Sequence, residues 1–253
     1  MMSLDQRIAE AVAVAKSVVT YHGDTAKGAA MDALYRRFVP QGGLAFDIGS
    51  HVGDRVASFR RLGARVVALE PQPGPADVIA RLFEGDSRVT LLRAACGGAE
   101  GELKLSINTA NPTVSTASHA FVASAAGAEG WHGQVWDREI TVPCLTLDRL
   151  VADYGVPNFA KIDVEGFEAD VLEGLSQPIP ALSFEFTTIQ REVAFECLDR
   201  LAGLGAYGFD LALGESQNLT FGRFVDQATM TAHLAGLPHA ANSGDVYAVL
   251  AKD

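Results

Sequence analysis

The feature that most constrains this chain is a rhythm. Between residues 44 and 97, three apolar runs, LAFDIG, ARVVALEP and RVTLLRAACG, alternate with two stretches of helical spacing, HVGDRVASFRRLG and PADVIARLFEG. Short runs of Val, Ile, Leu and Phe read as strands covered on both faces. Helical segments of roughly 10–15 residues between such strands imply right-handed crossovers and a parallel sheet. The chain is therefore expected to be α/β, with helices on both faces of the sheet.

The same reading extends outward from that core. Ser3 and Gln6 form a capping-box pattern ahead of a first helix, in which Ile8, Val12, Ala15 and Val19 fall on one face. A second short helix, AAMDALYRRF, stops at Pro40 and Gly42. GELKLSIN (101–108) reads as a further strand, and a Ser/Thr/Ala/Gly-rich stretch from Thr109 to Gly133 follows it. That stretch is too long for an ordinary connection and is expected to serve as an inserted lid. EITVPCLTLDRLV returns to strand and helix, FAKIDV (159–164) and ALSFEF (181–186) are strands around the helix GFEADVLEGL, and REVAFECLDRLAGLG is amphipathic. A strand at YGFDLALGE, a helix near 223–235 and a last strand at DVYAVLAK complete the pattern. No repeat or linker divides it. The expectation is one domain over 1–253: a helical segment at 1–40, a donor-binding half at 41–100, an insertion at 101–145 and the second half of the sheet at 146–253.

Composition excludes some classes of partner. With 31 acidic against 20 basic residues the formal charge is −11, and no block of Lys and Arg relieves it, which argues against broad capture of nucleic acid. Cys96, Cys144 and Cys197 lie far apart with no CxxC, as expected of thiols in a reducing compartment. The apolar run AVAVAKSVV is broken by Lys16 and follows Asp5 and Glu10, so neither a signal peptide nor a membrane span of about 18 residues is read here. A cytoplasmic location is expected.

Two stretches carry the chemistry. In FDIGSHVGD the first strand hands over to its helix: Gly49 permits a sharp turn, Gly53 permits close packing of the helix start, and Asp47 stands at the strand end. Glu70 follows 21 residues after Gly49, where nucleotide-binding folds place an acid for ribose hydroxyls, and Pro71 turns the chain away. A dinucleotide loop prefers a second glycine to admit the pyrophosphate, and His51 fills that place after Ser50. S-adenosyl-L-methionine has no phosphate, so the methyl donor is favoured over NAD.

The second stretch is AKIDVEGFE, residues 160–168. Lys161 and Asp163 share one face of a strand whose other face is apolar, and Glu165 and Glu168 follow at once. Ser183 and Glu185 take matching positions on the next strand. Such charges are costly to bury unless paired. They either fix strand register or converge on a site at the carboxyl ends of the strands, where open α/β sheets bind ligands. Asp163 and Glu165 are the candidate catalytic groups, with His51, His119 and His132 as alternative bases. Glu168 reads as a surface charge in the first turn of a helix. A divalent metal on Asp163, Glu165 and Glu185 lacks any tight ligand spacing, and none is expected. Trp131 and Trp136 in the insertion would stack on a sugar or ring, or else fill a local core.

FDIGSHVGD, ALEPQP, TVPCLTLDRL and KIDVEGFEADVLEGL, in this order, resemble the FkbM-type S-adenosylmethionine-dependent methyltransferases over roughly residues 40–190, with looser echoes in YHGD and SGDVYA. Family members usually carry Ala-Asn where this chain has Ser50-His51. The resemblance implies a class I methyltransferase, Rossmann-like, with seven strands of which the last is antiparallel. It implies methylation of hydroxyl groups on sugars, glycans or natural products, a small-molecule or glycan acceptor. It implies further that Asp47, Gly49 and Gly53 hold the methionine end of the donor and Glu70 the ribose, with Ser50, His51 and Pro71 also among the donor-binding residues. The turn around Ala95, from Ala94 to Cys96, would lie along the adenine, and Asp163 beside the methyl group. An NAD-dependent oxidoreductase and a non-catalytic nucleoside-binding module are the competing readings.

Overall fold

The computed structural model of the chain describes residues 3–251. Helices α1 (Leu4–His22) and α2 (Thr25–Tyr35) lead into β1 (Leu44–Ile48), α3 (Asp54–Arg61), β2 (Arg65–Leu69), α4 (Pro73–Leu82) and β3 (Val89–Leu92). Next come β4 (Ala95–Cys96), β5 (Gly101–Ile107), α5 (His119–Ala125), β6 (Arg138–Leu145) and α6 (Leu147–Tyr154). The chain continues through β7 (Phe159–Ile162), α7 (Glu168–Glu173), β8 (Ala181–Thr187), α8 (Arg191–Leu204), β9 (Tyr207–Leu213), α9 (Gln227–Gly236) and β10 (Ser243–Leu250).

Among the described residues, the main sheet has seven strands in the order β3-β2-β1-β7-β8-β10-β9. Its pairs are parallel except those of β10, which runs antiparallel to both β8 and β9. This is the α/β, class I methyltransferase architecture, with the last strand reversed. The order changes direction between β1 and β7, and at such a switch point the two strand ends diverge and leave a crevice.

Alternation along the strands sorts the core into two layers. Ala45, Phe159 and Ala181 pack beneath Met31, Leu34, Tyr35, Val56 and Phe59 of α2 and α3. On the other face Phe46, Ile162, Phe184 and Val246 meet Leu150, Leu172, Leu198 and Leu234 from α6–α9. Each such fully buried side chain contributes about 1.5–3 kcal/mol relative to exposure. The register then raises a polar row directly above the first layer: Asp47, Lys161, Ser183, Tyr247 and Asp210 stand side by side across five strands.

Two expectations change, and one open alternative is decided. The run RVTLLRAACG is not one strand: β3 stays in the main sheet, while β4 leaves it to pair with β6 in a second sheet ordered β4-β6-β5. The reason is a partner distant in sequence, since Ala95 and Cys96 take the register of Cys144 and Leu145. The stripe of α1 is also reversed. Ile8, Val12 and Val19 are exposed, while Ala13, Val14 and Ser17 are buried. Those smaller side chains let α1 approach α4, where a Cβ on Gly74 would stand 3.2 Å from Val14. Finally, the stretch 109–133 is ordered around its own small core. Val114, Phe121, Ala125 and Trp131 are buried there, and the Phe121 ring meets Trp131 and Trp136 edge-on at 5.1 and 6.2 Å. The two tryptophans thus fill the inserted region. Among the described residues no helix is long and apolar enough to cross a membrane.

Candidate active site

The loop after β1 is shaped by backbone bonds. Gly49 and Ser50 donate their amides to the carbonyl of Leu69 at 3.0 and 2.9 Å, Gly53 donates to Ser50 at 2.7 Å, and the Ser50 hydroxyl donates to the carbonyl of Asp47 at 2.8 Å. Gly49 has φ +81°, and a Cβ there would lie 1.9 Å from the carbonyl oxygen of Asp163. Glycine is required because the β1 turn rests on the backbone at the end of β7. Gly53 also has φ +81°, but it faces Ile79 and Phe83 and serves the packing of α3.

Asp47 is 1% exposed, and its Oδ2 has no partner. Burial, with the nearby Asp54 charge, pushes its carboxyl up to about 7. At the end of β2, Glu70 accepts from the amides of His51 at 2.8 Å and Gln72 at 2.7 Å. Even so, burial pushes it up to about 8. His51 is held at φ +46° with its ring edge-on to Tyr21. Its Nε2 lies 3.3 Å from the Thr113 hydroxyl, and its Nδ1 is buried without a partner. Burial lowers its pKa to about 4, so the imidazole is neutral near pH 7.

The acidic strand end is built around Lys161. Its ammonium is 1% exposed and lies 3.0 Å from Asp163 and 2.8 Å from Asp245. Burial opposes its charge, but the two carboxylates outweigh that and hold its pKa well above the usual range. Burial likewise opposes ionisation of Asp163, yet Lys161 and then Arg55 keep it below the ordinary carboxylate value. Glu165 differs. It is 7% exposed, adopts φ +56°, and its carboxylate makes no hydrogen bond. Burial first, then Asp163 and Glu168, drive its pKa well above normal. Its carbonyl accepts from the Thr116 hydroxyl at 2.7 Å, which ties the inserted region to the strand end.

One cleft gathers these groups. It holds about 860 Å³ of empty space including its open mouth. Asp47, Gly49, Ser50, His51, Glu70, Pro71, Ala95, Asp163 and Glu165 all line it; Gly53, His119, His132, Trp131 and Trp136 do not. Ala94, Cys96, Leu69 and Phe167 give it an apolar wall beside Ala95.

Other residues at the site escaped the sequence reading. Glu168 is 1% exposed rather than a surface charge. Its carboxylate accepts from the amides of Val164 at 3.0 Å and Gly166 at 3.3 Å and so folds the loop that presents Glu165. Arg55 is buried between Asp54 and Glu215, the latter held by two bonds at 2.9 and 3.0 Å. Tyr21 reaches the cleft from α1. Only the SGDVYA echo hinted at Asp245, and nothing local marked Arg55 or Glu215.

The donor set suits S-adenosyl-L-methionine. An unpartnered buried carboxylate at Asp47 and an ionised Asp163 favour a cationic ligand, Glu70 retains acceptor capacity for hydroxyls, and the wall at Ala94–Cys96 suits an aromatic base. The hexuronic acid methyltransferase AglP of Haloferax volcanii is 29% identical over 150 residues, covering 58% of this chain and 56% of that protein, so the match spans about half of that relative's length. Among solved structures, precorrin-6Y C5,15-methyltransferase of Geobacter metallireducens is 12% identical, with a TM-score of 0.45 over 88% of this chain and 87% of that one. Fibrillarin of Aeropyrum pernix, solved with S-adenosyl-L-methionine, is 9% identical, with a TM-score of 0.44 over 84% of this chain and 68% of that one. At such scores the fold rests on the strand order above. A family model described as the methyltransferase FkbM domain matches residues 47–211, from the tip of β1 to β9. The chain belongs to the FkbM methyltransferase-domain family.

Proposed function

We propose that this protein transfers a methyl group from S-adenosyl-L-methionine to a hydroxyl oxygen of a sugar, glycan or natural product. The observation that carries the reading is the pairing of β1 with β7, which sets Asp47 opposite Lys161 and brings Asp47, Asp163, Glu70 and Glu165 into one cleft. The relative named for hexuronic acid supports a glycan-type acceptor.

Bound there, the donor supplies an activated methyl on a sulfonium, whose departure needs no assistance. The protein's tasks are alignment, to about 3–3.5 Å between reacting atoms, and removal of the acceptor's proton. Asp47 and Asp163 hold the cationic end, and Glu70 takes the ribose hydroxyls. Asp163, fixed by Lys161, is a weak base. Glu165 has no hydrogen-bond partner; the positive charge of the bound donor favours its ionised form, and in that form it receives the hydroxyl proton, a role worth typically about 10²–10⁴-fold in rate. The Thr116 bond places the inserted region over Glu165, where it excludes water from the exchange.

Calorimetric titration with S-adenosyl-L-methionine, S-adenosylhomocysteine and NAD tests the donor. The first two should bind, and Glu70→Ala or Asp47→Ala should weaken both strongly. Tight NAD binding without response to the methyl donor would overturn the proposal. Donor binding with no turnover across a panel of hydroxyl-bearing glycans would favour the non-catalytic alternative. His51, which lines the cleft where a pyrophosphate would have to pass, supports the methyl donor over NAD.

A further inference from the structure

Beside the donor groups, one carboxylate oxygen each from Asp163, Glu165 and Glu185 lie within 4.8 Å of one another. Three acids so close cannot all be ionised unless a proton or a cation stands among them; Asp163 and Glu185 share a side-chain hydrogen bond, while Glu165 has none. Lys161 does not meet the need. Its contacts are with Asp163 and Asp245, and neither Glu165 nor Glu185 pairs with it. Two further observations point inward. Glu165 is 7% exposed and its carboxylate has no hydrogen bond, while Oε2 of Glu185 is buried without a partner. Gln190, 9% exposed, also carries an unpartnered Oε1 and lines a small cavity together with Glu185 and Glu168.

Resting on the reading above, we infer that Asp163, Glu165 and Glu185 hold a divalent, oxygen-seeking cation at the edge of the cleft that Asp163 and Glu165 line. An all-oxygen set of carboxylates suits Mg²⁺, Mn²⁺ or Ca²⁺ rather than a thiophilic metal. Size favours the larger ion. Oxygens on opposite sides of Ca²⁺ stand about 4.6–5.2 Å apart, and on opposite sides of Mg²⁺ about 4.0–4.2 Å, from metal–oxygen distances of 2.3–2.6 and 2.0–2.1 Å. The present spread of up to 4.8 Å accepts Ca²⁺ as it stands, and Mg²⁺ or Mn²⁺ after a small closure. The ion gives the acceptor hydroxyl a fixed point beside Glu165, which binds through one carboxylate oxygen and keeps the other for the proton.

The test uses the whole chain freed of metal with a chelator and titrated calorimetrically with MgCl₂, MnCl₂ and CaCl₂. One saturable site is expected for at least one of these ions, with a dissociation constant no weaker than about 10⁻³ M. Glu185→Gln should weaken it at least tenfold while its affinity for S-adenosyl-L-methionine, measured without cation, stays within about twofold of the wild type. Should that variant fail to fold, Glu165→Gln on the loop replaces it, and water-proton relaxation by Mn²⁺ reports the site on the unaltered chain. Absence of saturable binding by all three ions overturns the inference, as does unaltered binding by both variants. Failure to bind the donor would instead overturn the proposed function, so the two are distinguishable.

Discussion

Gly49 and Gly53 share a φ of +81° but face different surroundings, and that pair isolates the contact on which the site depends. Placing alanine at either position carries the same left-handed backbone cost, roughly 1–2 kcal/mol. At Gly53 the new Cβ would stand 3.0 Å from Cγ1 of Ile79, a side chain that can turn away. At Gly49 it would stand 1.9 Å from the backbone oxygen of Asp163, and even a 3.0 Å separation requires the two strand ends to part by 1.1 Å (3.0 − 1.9). Overpacking against backbone adds about 1–3 kcal/mol. Gly49→Ala should therefore lose about 2–5 kcal/mol in urea unfolding, and Gly53→Ala about 1–2 kcal/mol. A displacement near 1 Å at the reacting groups should also lower methyl transfer by about 10²-fold in the first variant alone. Equal destabilisation within about 0.5 kcal/mol, with equal donor affinity, would refute the claim that the β1 turn rests on β7.

Two more outcomes follow from the buried charges. Lys161→Met leaves Asp163 and Asp245 facing one another without a cation and should cost about 3–5 kcal/mol in thermal or urea unfolding, with part regained on adding Asp245→Asn; a wild-type midpoint for the single variant would show that the ion pairs do not matter. Glu70, held up at about 8 against an ordinary 4.5, is protonated in the folded protein at pH values where the unfolded chain has released that proton. Its contribution to stability is therefore fullest below pH 4.5 and is lost as pH rises towards 8. A cationic donor and ribose hydroxyls favour the ionised form, so binding should release protons and tighten from pH 6 to about 8. Calorimetry in two buffers of different ionisation enthalpy reads this directly, and Glu70→Gln should abolish the release assigned to this residue; unchanged release would place it elsewhere.

The fold was legible wherever its signal was local. Strands β1, β2, β7 and β8 announce themselves because both faces are covered and their runs are apolar, and the helices between them carry a different period. The signal failed where a distant partner decides. Residues 88–97 are suitable for strand throughout, and only pairing with β6, some fifty positions later, breaks the run at Arg93 and Ala94. It failed also in α1, because a helix rich in Ala and Val is apolar on more than one side. The stripe with the larger residues, Ile8, Val12 and Val19, lost to the one that permits close approach to Gly74.

The candidate site divides along the same line, and the division has a physical cause. Asp47, Glu70 and Asp163 sit at or just past strand ends, and strand ends can be read from short segments. Asp245 arrives on an antiparallel strand eighty-two positions after Asp163, and Glu215 follows β9, so their meeting with Lys161 and Arg55 depends on the completed sheet. Yet the sequence did pose the question they answer. A lysine in a central strand, one position above Phe159 on the side covered by α2 and α3, cannot stay charged there without acids around it. One acid from its own strand end was visible. The second comes from β10, where Asp245 stands 2.8 Å from the ammonium. Because Lys161 pairs with Asp163 and Asp245, Glu165 and Glu185 make no ion pair with it, and burial beside Asp163 raises the proton affinity of both, so a proton or a bound cation must stand among the three acids.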